Sequence, residues 1–167
     1  TDSVLQISSA LPGHEGLYSC DVTNLCRTIS TGTAQLNVVN LAVSLEGGTD
    51  VSFCNDTAYH IHTNVISNHA AESGTCTYAW SPANGLSATN VANPAAQPLT
   101  NENYYLTVTD QLGCAAYNFL HLASYTPVSI DTQPASSVKC QNSLGQMSVI
   151  VNGTQPFSYE WKKDGVA

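Results

Sequence analysis

The chain is short of charge, and of positive charge above all. Only 10% of its 167 residues are Asp, Glu, Lys or Arg, where about a quarter is usual. The whole basic complement is Arg27, Lys139, Lys162 and Lys163, and twelve acidic residues leave a formal net charge of −8. A phosphate-binding surface needs clustered Lys and Arg to displace counterions, so nucleic acid is excluded as a partner. An anionic membrane surface is disfavoured for the same reason. No apolar run approaches the roughly eighteen residues of a spanning helix, so no direct membrane insertion is expected. Neither an initiator methionine nor a charged-then-apolar leader opens the sequence. A leader removed on maturation, or lying outside these residues, would leave the same beginning, so its absence is uninformative.

Helical periodicity is missing too: no window carries an apolar stripe at 3.6-residue spacing. Short runs with β-branched and aromatic content are present instead: Val4–Ile7, Thr33–Val38, Tyr59–Val65, Tyr104–Val108 and Ser148–Val151. Each is bounded by Gly, Pro, Asn or Asp, and strands at such spacing read as an all-β sandwich. Six cysteines, Cys20, Cys26, Cys54, Cys76, Cys114 and Cys140, avoid the two-residue spacing of zinc knuckles and thioredoxin motifs. Disulfides are therefore the better reading, and with low charge and abundant Ser, Thr and Asn they describe an extracellular, cell-surface protein.

The sequence repeats itself. Thr77-Tyr78-Ala79-Trp80 returns as Ser158-Tyr159-Glu160-Trp161, and Tyr18 to Cys26 matches Tyr105 to Cys114. The period of about 80 to 90 residues is that of one small sandwich module. In an immunoglobulin-type sandwich a Trp sits on the third strand and a Tyr opens the sixth. Residues 1–40 hold the Tyr without the Trp, and residues 126–167 the Trp without the Tyr. Both landmarks occur in order only between them. The expected architecture is thus tandem β-sandwich modules: residues 1–40 the C-terminal half of one, 41–125 a complete one, and 126–167 the N-terminal half of a third. Trp80, Trp161, Tyr18 and Tyr105 are the expected core pins, while Tyr59, Tyr104, Tyr117 and Tyr125 are freer. A line of exposed tyrosines would stack on sugar rings, but nothing in the sequence puts these on one surface. Short connectors at Val39-Asn40 and Ala123–Pro127 leave little slack, which predicts a semi-rigid rod.

These residues carry a family likeness. Glu15 to Asn24 resembles the late-strand signature of immunoglobulin-like domains, and Pro156 to Gly165 their early-strand one. Thr77 to Ser87, Asn93-Pro94 and Tyr105 to Cys114 resemble the PKD-like repeat of giant Bacteroidota surface proteins. There such repeats alternate with immunoglobulin-like ones in gliding-motility adhesins and other type IX secretion cargo. The likeness spans nearly the whole chain, and its motifs specify a scaffold rather than a function. One departure is Val149, which stands where vertebrate-type domains place their first core cysteine. In the bacterial family a Cys before the second strand accompanies one at the start of the last, which implies Cys54 with Cys114. The same logic implies Cys140 with a residue beyond Ala167 and Cys26 with one before Thr1. Cys20 and Cys76 are left over, and Cys76 with Cys114 is a rival pair, since both belong at the same end of the sandwich. A bridge closing a loop of about 60 residues contributes about 4 kcal/mol in the chain-entropy model. The resemblance also implies O-glycans at Ser3 and Thr57, in Asp2-Ser3-Val4 and Asp56-Thr57-Ala58; Asn55 and Asn152 satisfy the N-linked sequon.

Chemistry is thinly represented. His60 and His62 share one face of an expected strand, with His69 shortly after, but no third ligand stands at a recognisable spacing, so they read as a polar face. His14 and His121 have no acid or nucleophile at a motif spacing. Asp21, Asp50, Asp56 and Asp110 lie near strand ends without an Asp-x-Asp-x-Asp run and read as turn aspartates. No Gly-x-Ser-x-Gly elbow is present. No cofactor, metal or catalytic site is expected. The function expected is a stalk segment of a long, repetitive, secreted adhesin or extracellular fibre. Its partners are neighbouring modules of the same or adjacent chains, and surface glycans or other cell-surface proteins. The alternatives are an accessory spacer of a secreted hydrolase, or a fibre subunit assembled by strand complementation.

Overall fold

The computed structural model describes residues 3–69 and 75–166. Among the described residues, strand ladders form only within three successive stretches. In the first, a short 3-10 turn, Pro12–His14, leads into β1 (Gly16–Tyr18), β2 (Asp21–Thr23), β3 (Thr28–Ser30) and β4 (Ala34–Leu36). β1 pairs with β4 and β2 with β3, both antiparallel. The expected strand at Val4–Ile7 does not form; that segment is non-regular chain beside the β1–β2 turn.

The middle stretch holds the core. Its strands are β5 (Leu41–Leu45), β6 (Asp50–Cys54), β7 (Tyr59–His60), β8 (Thr63–Ser67), β9 (Thr77–Ser81), β10 (Ala95–Ala96), β11 (Glu102–Thr109) and β12 (Ala115–Tyr125). One sheet runs β6-β12-β11-β9, with β6 parallel to β12 and the other pairs antiparallel. Facing it are the β5-β8 ladder and the short β7-β10 ladder. Side chains alternate faces along a strand, and here the inward set is apolar: Leu45, Ile61, Trp80, Ala96, Tyr104, Leu106, Val108, Leu120 and Leu122 form one buried cluster. At about 1.5–3 kcal/mol for each large apolar side chain, this burial dominates the stability of the fold. Gly85, at φ +70°, is fixed by packing as well as by conformation, because a Cβ there would lie 2.7 Å from the Pro98 nitrogen.

The last stretch pairs β13 (Ser129–Thr132) with β14 (Ile150–Asn152) through a register shift between Ile130 and Thr132. Beyond them, Lys163 and Val166 exchange both backbone hydrogen bonds across Asp164-Gly165. Both turn residues have positive φ, as a two-residue Asp-Gly hairpin demands.

Two expected core pins are corrected here. Tyr105 is 61% exposed. The period-2 alternation of β11 sends Tyr104, Leu106 and Val108 inward and therefore turns Tyr105 out. Trp161 is 54% exposed, since among the described residues no second sheet lies over the β13-β14 ribbon. It lines a shallow groove with Ile130, Pro134, Val149 and Val151.

Candidate functional site

Trp80 and Tyr104 anchor the middle stretch. Both are buried in the cluster, and each sends its polar atom to a backbone carbonyl: Trp80 Nε1 to Val91 at 3.0 Å, Tyr104 Oη to Asn84 at 2.5 Å. The Tyr104 bond holds the Ala83–Gly85 turn against β11, and Asn84 Nδ2 donates in turn to Glu102 at 2.7 Å. Burial pushes the Tyr104 phenol up to about 12, with the Glu102 carboxylate adding to the effect. Tyr18, half-buried on β1, donates from Oη to the His14 carbonyl at 2.6 Å, the geometry of a tyrosine corner.

Asp110 organises the turn between β11 and β12. Its Oδ1 accepts from the amides of Leu112 at 2.9 Å and Cys114 at 2.8 Å, and Gly113 supplies the positive φ the turn needs. Asp110 is only 6% exposed, and its Oδ2 has no hydrogen-bond partner among the described residues. Burial and the neighbouring Asp110 raise the Cys114 thiol pKa above its usual value, so Cys114 is a poor nucleophile.

The structure joins no two of the six cysteines. The Cys54–Cys114 pair implied by the family likeness is contradicted by the register. Cys54 pairs with Tyr125 at the far end of β12, whereas Cys114 immediately precedes Ala115 at its start. At roughly 3.3 Å per residue they are separated by some 35 Å, far beyond the roughly 4.4–6.8 Å that a disulfide spans between Cα atoms. Cys76 and Cys114 lie at one end of the sheet, just ahead of β9 and β12, the two strands that flank β11. Two strand spacings, roughly 9.5 Å, separate their backbones. Cys20, Cys26 and Cys140 are exposed. The Cys20 and Cys26 amides donate to Thr31 Oγ1 and Asn24 Oδ1, and the Cys140 carbonyl accepts from Ser143.

His60 and His62 are exposed on either side of buried Ile61. Among the described residues no three His, Cys, Asp or Glu side chains are grouped to share a metal ion. A groove of about 520 Å³ beside β1 is lined by Val4, Leu5, Tyr18, Cys20 and Asp21. Its carboxylate is taken up by Ser30 Oγ, which donates to Asp21 Oδ1 at 2.5 Å. Ser3 and Thr57 are exposed, and Asp2 of the first glycosylation pattern lies outside the described residues.

The junctions hold contacts that sequence reasoning missed. Asn68, just after β8, donates from Nδ2 to the Val38 carbonyl at 3.0 Å and accepts the Asn40 amide at 2.7 Å. Next to it, His69 Nε2 lies 2.6 Å from Glu15 Oε1. At the other junction the Asn55 amide donates to the Tyr125 carbonyl at 2.9 Å, and its Nδ2 reaches Thr126 Oγ1 at 3.3 Å. Thr126 and Thr154 exchange two further bonds, and Gly153 packs against Pro127. A loop Asn in sequence looks like a turn former, and only the fold reveals the carbonyl that it reaches.

No protein-family model and no curated protein matches the sequence. Among solved structures, the chain resembles the three N-terminal domains of the highly immunogenic outer capsid protein of bacteriophage RB49, at 16% identity and a TM-score of 0.53, over 89% of this chain and 52% of that one. Extracellular domains 3–5 of Drosophila OTK align at 12% identity and a TM-score of 0.47, over 87% of this chain and 51% of theirs. A three-immunoglobulin-domain structure of titin aligns at 16% identity and 0.47, over 88% and 54%. The chain spans about half the length of each of these structures. The fold is all-β, built of tandem immunoglobulin-like β-sandwich modules.

Proposed function

We propose that this chain is a stalk segment of a long, repetitive cell-surface adhesin or extracellular fibre, of the Bacteroidota type IX secretion cargo kind that its motifs resemble. Its role is mechanical and non-catalytic. Residues 1–40, 41–125 and 126–167 belong to successive modules and pass load from one to the next. The observation that supports this most is the pair of bonded junctions, Asn68 on Val38 and Asn40, and Asn55 on Tyr125 and Thr126. Polar clamps of this kind limit bending between neighbours without merging their cores, so each module keeps its own cooperative unfolding. The low charge and the exposed Ser3 and Thr57, read as O-glycan acceptors, suit a position outside the cell. The capsid protein of similar fold is, by its name, also an outer component of a particle.

The test is protease shaving of intact source cells, followed by mass-spectrometric sequencing of the released polypeptide without and with reduction. A much longer chain made mostly of modules of about 80 to 90 residues is expected. A catalytic domain joined to this stretch would make it a hydrolase spacer. A short chain assembled end to end would make it a complementing fibre subunit. Either result would overturn the stalk reading.

A further inference from the structure

The outer face of the four-stranded sheet carries a cluster of three exposed aromatic rings, with a fourth, Tyr125, at the far end of β12. Along β12, Tyr117 and Phe119 point away from the core, 73% and 49% exposed, and Tyr105 of β11 stands directly opposite Phe119. Same-face neighbours on a strand lie about 6.7 Å apart, and a directly opposed pair about 5 Å. The rings therefore form one continuous strip on two paired strands. Among the described residues none of the three stacks on another aromatic ring, so their faces are open to a ligand. Rings held on central strands are also placed more rigidly than rings on loops.

Charge and area select the occupant. Thr107 lies opposite Tyr117, and Asn103 opposite His121 with its Oδ1 2.8 Å from His121 Nδ1, so hydrogen-bonding side chains border the strip. The charge that register brings to this face is Asp50, opposite His121. An acidic margin on a chain of net charge −8 repels anionic polymers. Three partly exposed rings offer on the order of 400 Å², about half of the roughly 800 Å² per partner that a standard protein interface buries. That area matches two or three sugar rings. The C–H faces of a neutral pyranose carry the slight positive charge that the negative face of an aromatic ring attracts, while amide and hydroxyl groups at the border meet its hydroxyls.

We propose that Tyr105, Tyr117 and Phe119 form a binding platform for a neutral polysaccharide. The proposal stands apart from the stalk reading, since a stalk needs no ligand on this face, and the failure of one leaves the other standing. The test is affinity electrophoresis of the whole chain through gels containing xyloglucan, galactomannan, hydroxyethylcellulose or alginate, with pull-downs on insoluble cellulose and chitin. The expected result is retention by at least one neutral polysaccharide and none by alginate, insensitive to salt. Tyr105→Ala, Tyr117→Ala and Phe119→Ala should each weaken it roughly tenfold. Tyr117→Phe should keep it, because the ring remains. Circular dichroism of the alanine variants should match the parent, and their urea midpoints should fall only modestly, by about 1 kcal/mol at most and furthest at half-buried Phe119. Absence of retention by every neutral probe, or retention that survives the triple alanine variant, would overturn the proposal. So would sedimentation showing self-association that the triple variant abolishes, since a second copy would then be the occupant.

Discussion

Adjacent tyrosines on β11 have opposite fates, and the difference is worth measurable free energy. Tyr104 is buried and gives its hydroxyl to Asn84, whereas Tyr105 faces solvent. Tyr104→Phe removes that bond and leaves the Asn84 carbonyl without it, so a loss of about 1–3 kcal/mol is expected in urea unfolding. Tyr105→Phe should change stability by less than about 0.5 kcal/mol. The pair also separates by pH. The folded Tyr104 phenol titrates at about 12, above its ordinary value of 10.0. The native state therefore holds a proton that the unfolded chain has released, and stability should fall as pH rises from about 10 toward 12. This part of the fall should vanish in Tyr104→Phe and persist in Tyr105→Phe, read from urea midpoints across that range.

At the scale of elements, register decides what the cysteines can do. β6 runs parallel to β12, which puts Cys54 beside Tyr125 and leaves Cys114 at the opposite end. Peptide mapping of the unreduced protein should contain no Cys54–Cys114 peptide, and finding one would require β6 to pair elsewhere. Much of this level was legible in the sequence. Alternating apolar residues announced β11 and the Trp80 motif announced the central pin, whereas β12, the longest strand, and the Asp164-Gly165 turn were not singled out. The error at Tyr105 came from aligning it with Tyr18 across the repeat; the local alternation of Tyr104, Leu106 and Val108 already pointed the other way. Trp161 was placed by the same alignment, which carries no information on whether an opposing sheet is present. The separation of Cys54 from Cys114 was beyond reach, since strand direction within a sheet is set by long-range packing and not by local pattern. Of the exposed aromatic strip only Tyr117 was read as free, while Tyr105 was placed in the core and Phe119 was not singled out, because a common face depends on cross-strand register.

For the whole molecule the decisive features are the junctions. Asn68 binds the chain on both sides of Val39, so Asn68→Ala should cost about 1–3 kcal/mol of local stability. The Asn40 amide, which donates to Asn68 Oδ1, should then exchange roughly ten- to a hundred-fold faster, while amides in β11 and β12 keep their protection. Unchanged exchange at Asn40 would mean that the clamp contributes nothing in solution. The central claim, that consecutive modules bear load in series, is tested most directly by stretching the polypeptide between two attachment points and recording force against extension. A module of about 85 residues unfolding as a unit should appear as a separate force peak followed by roughly 290 Å of added length. A smooth extension without peaks, or a single event releasing the whole chain, would contradict it.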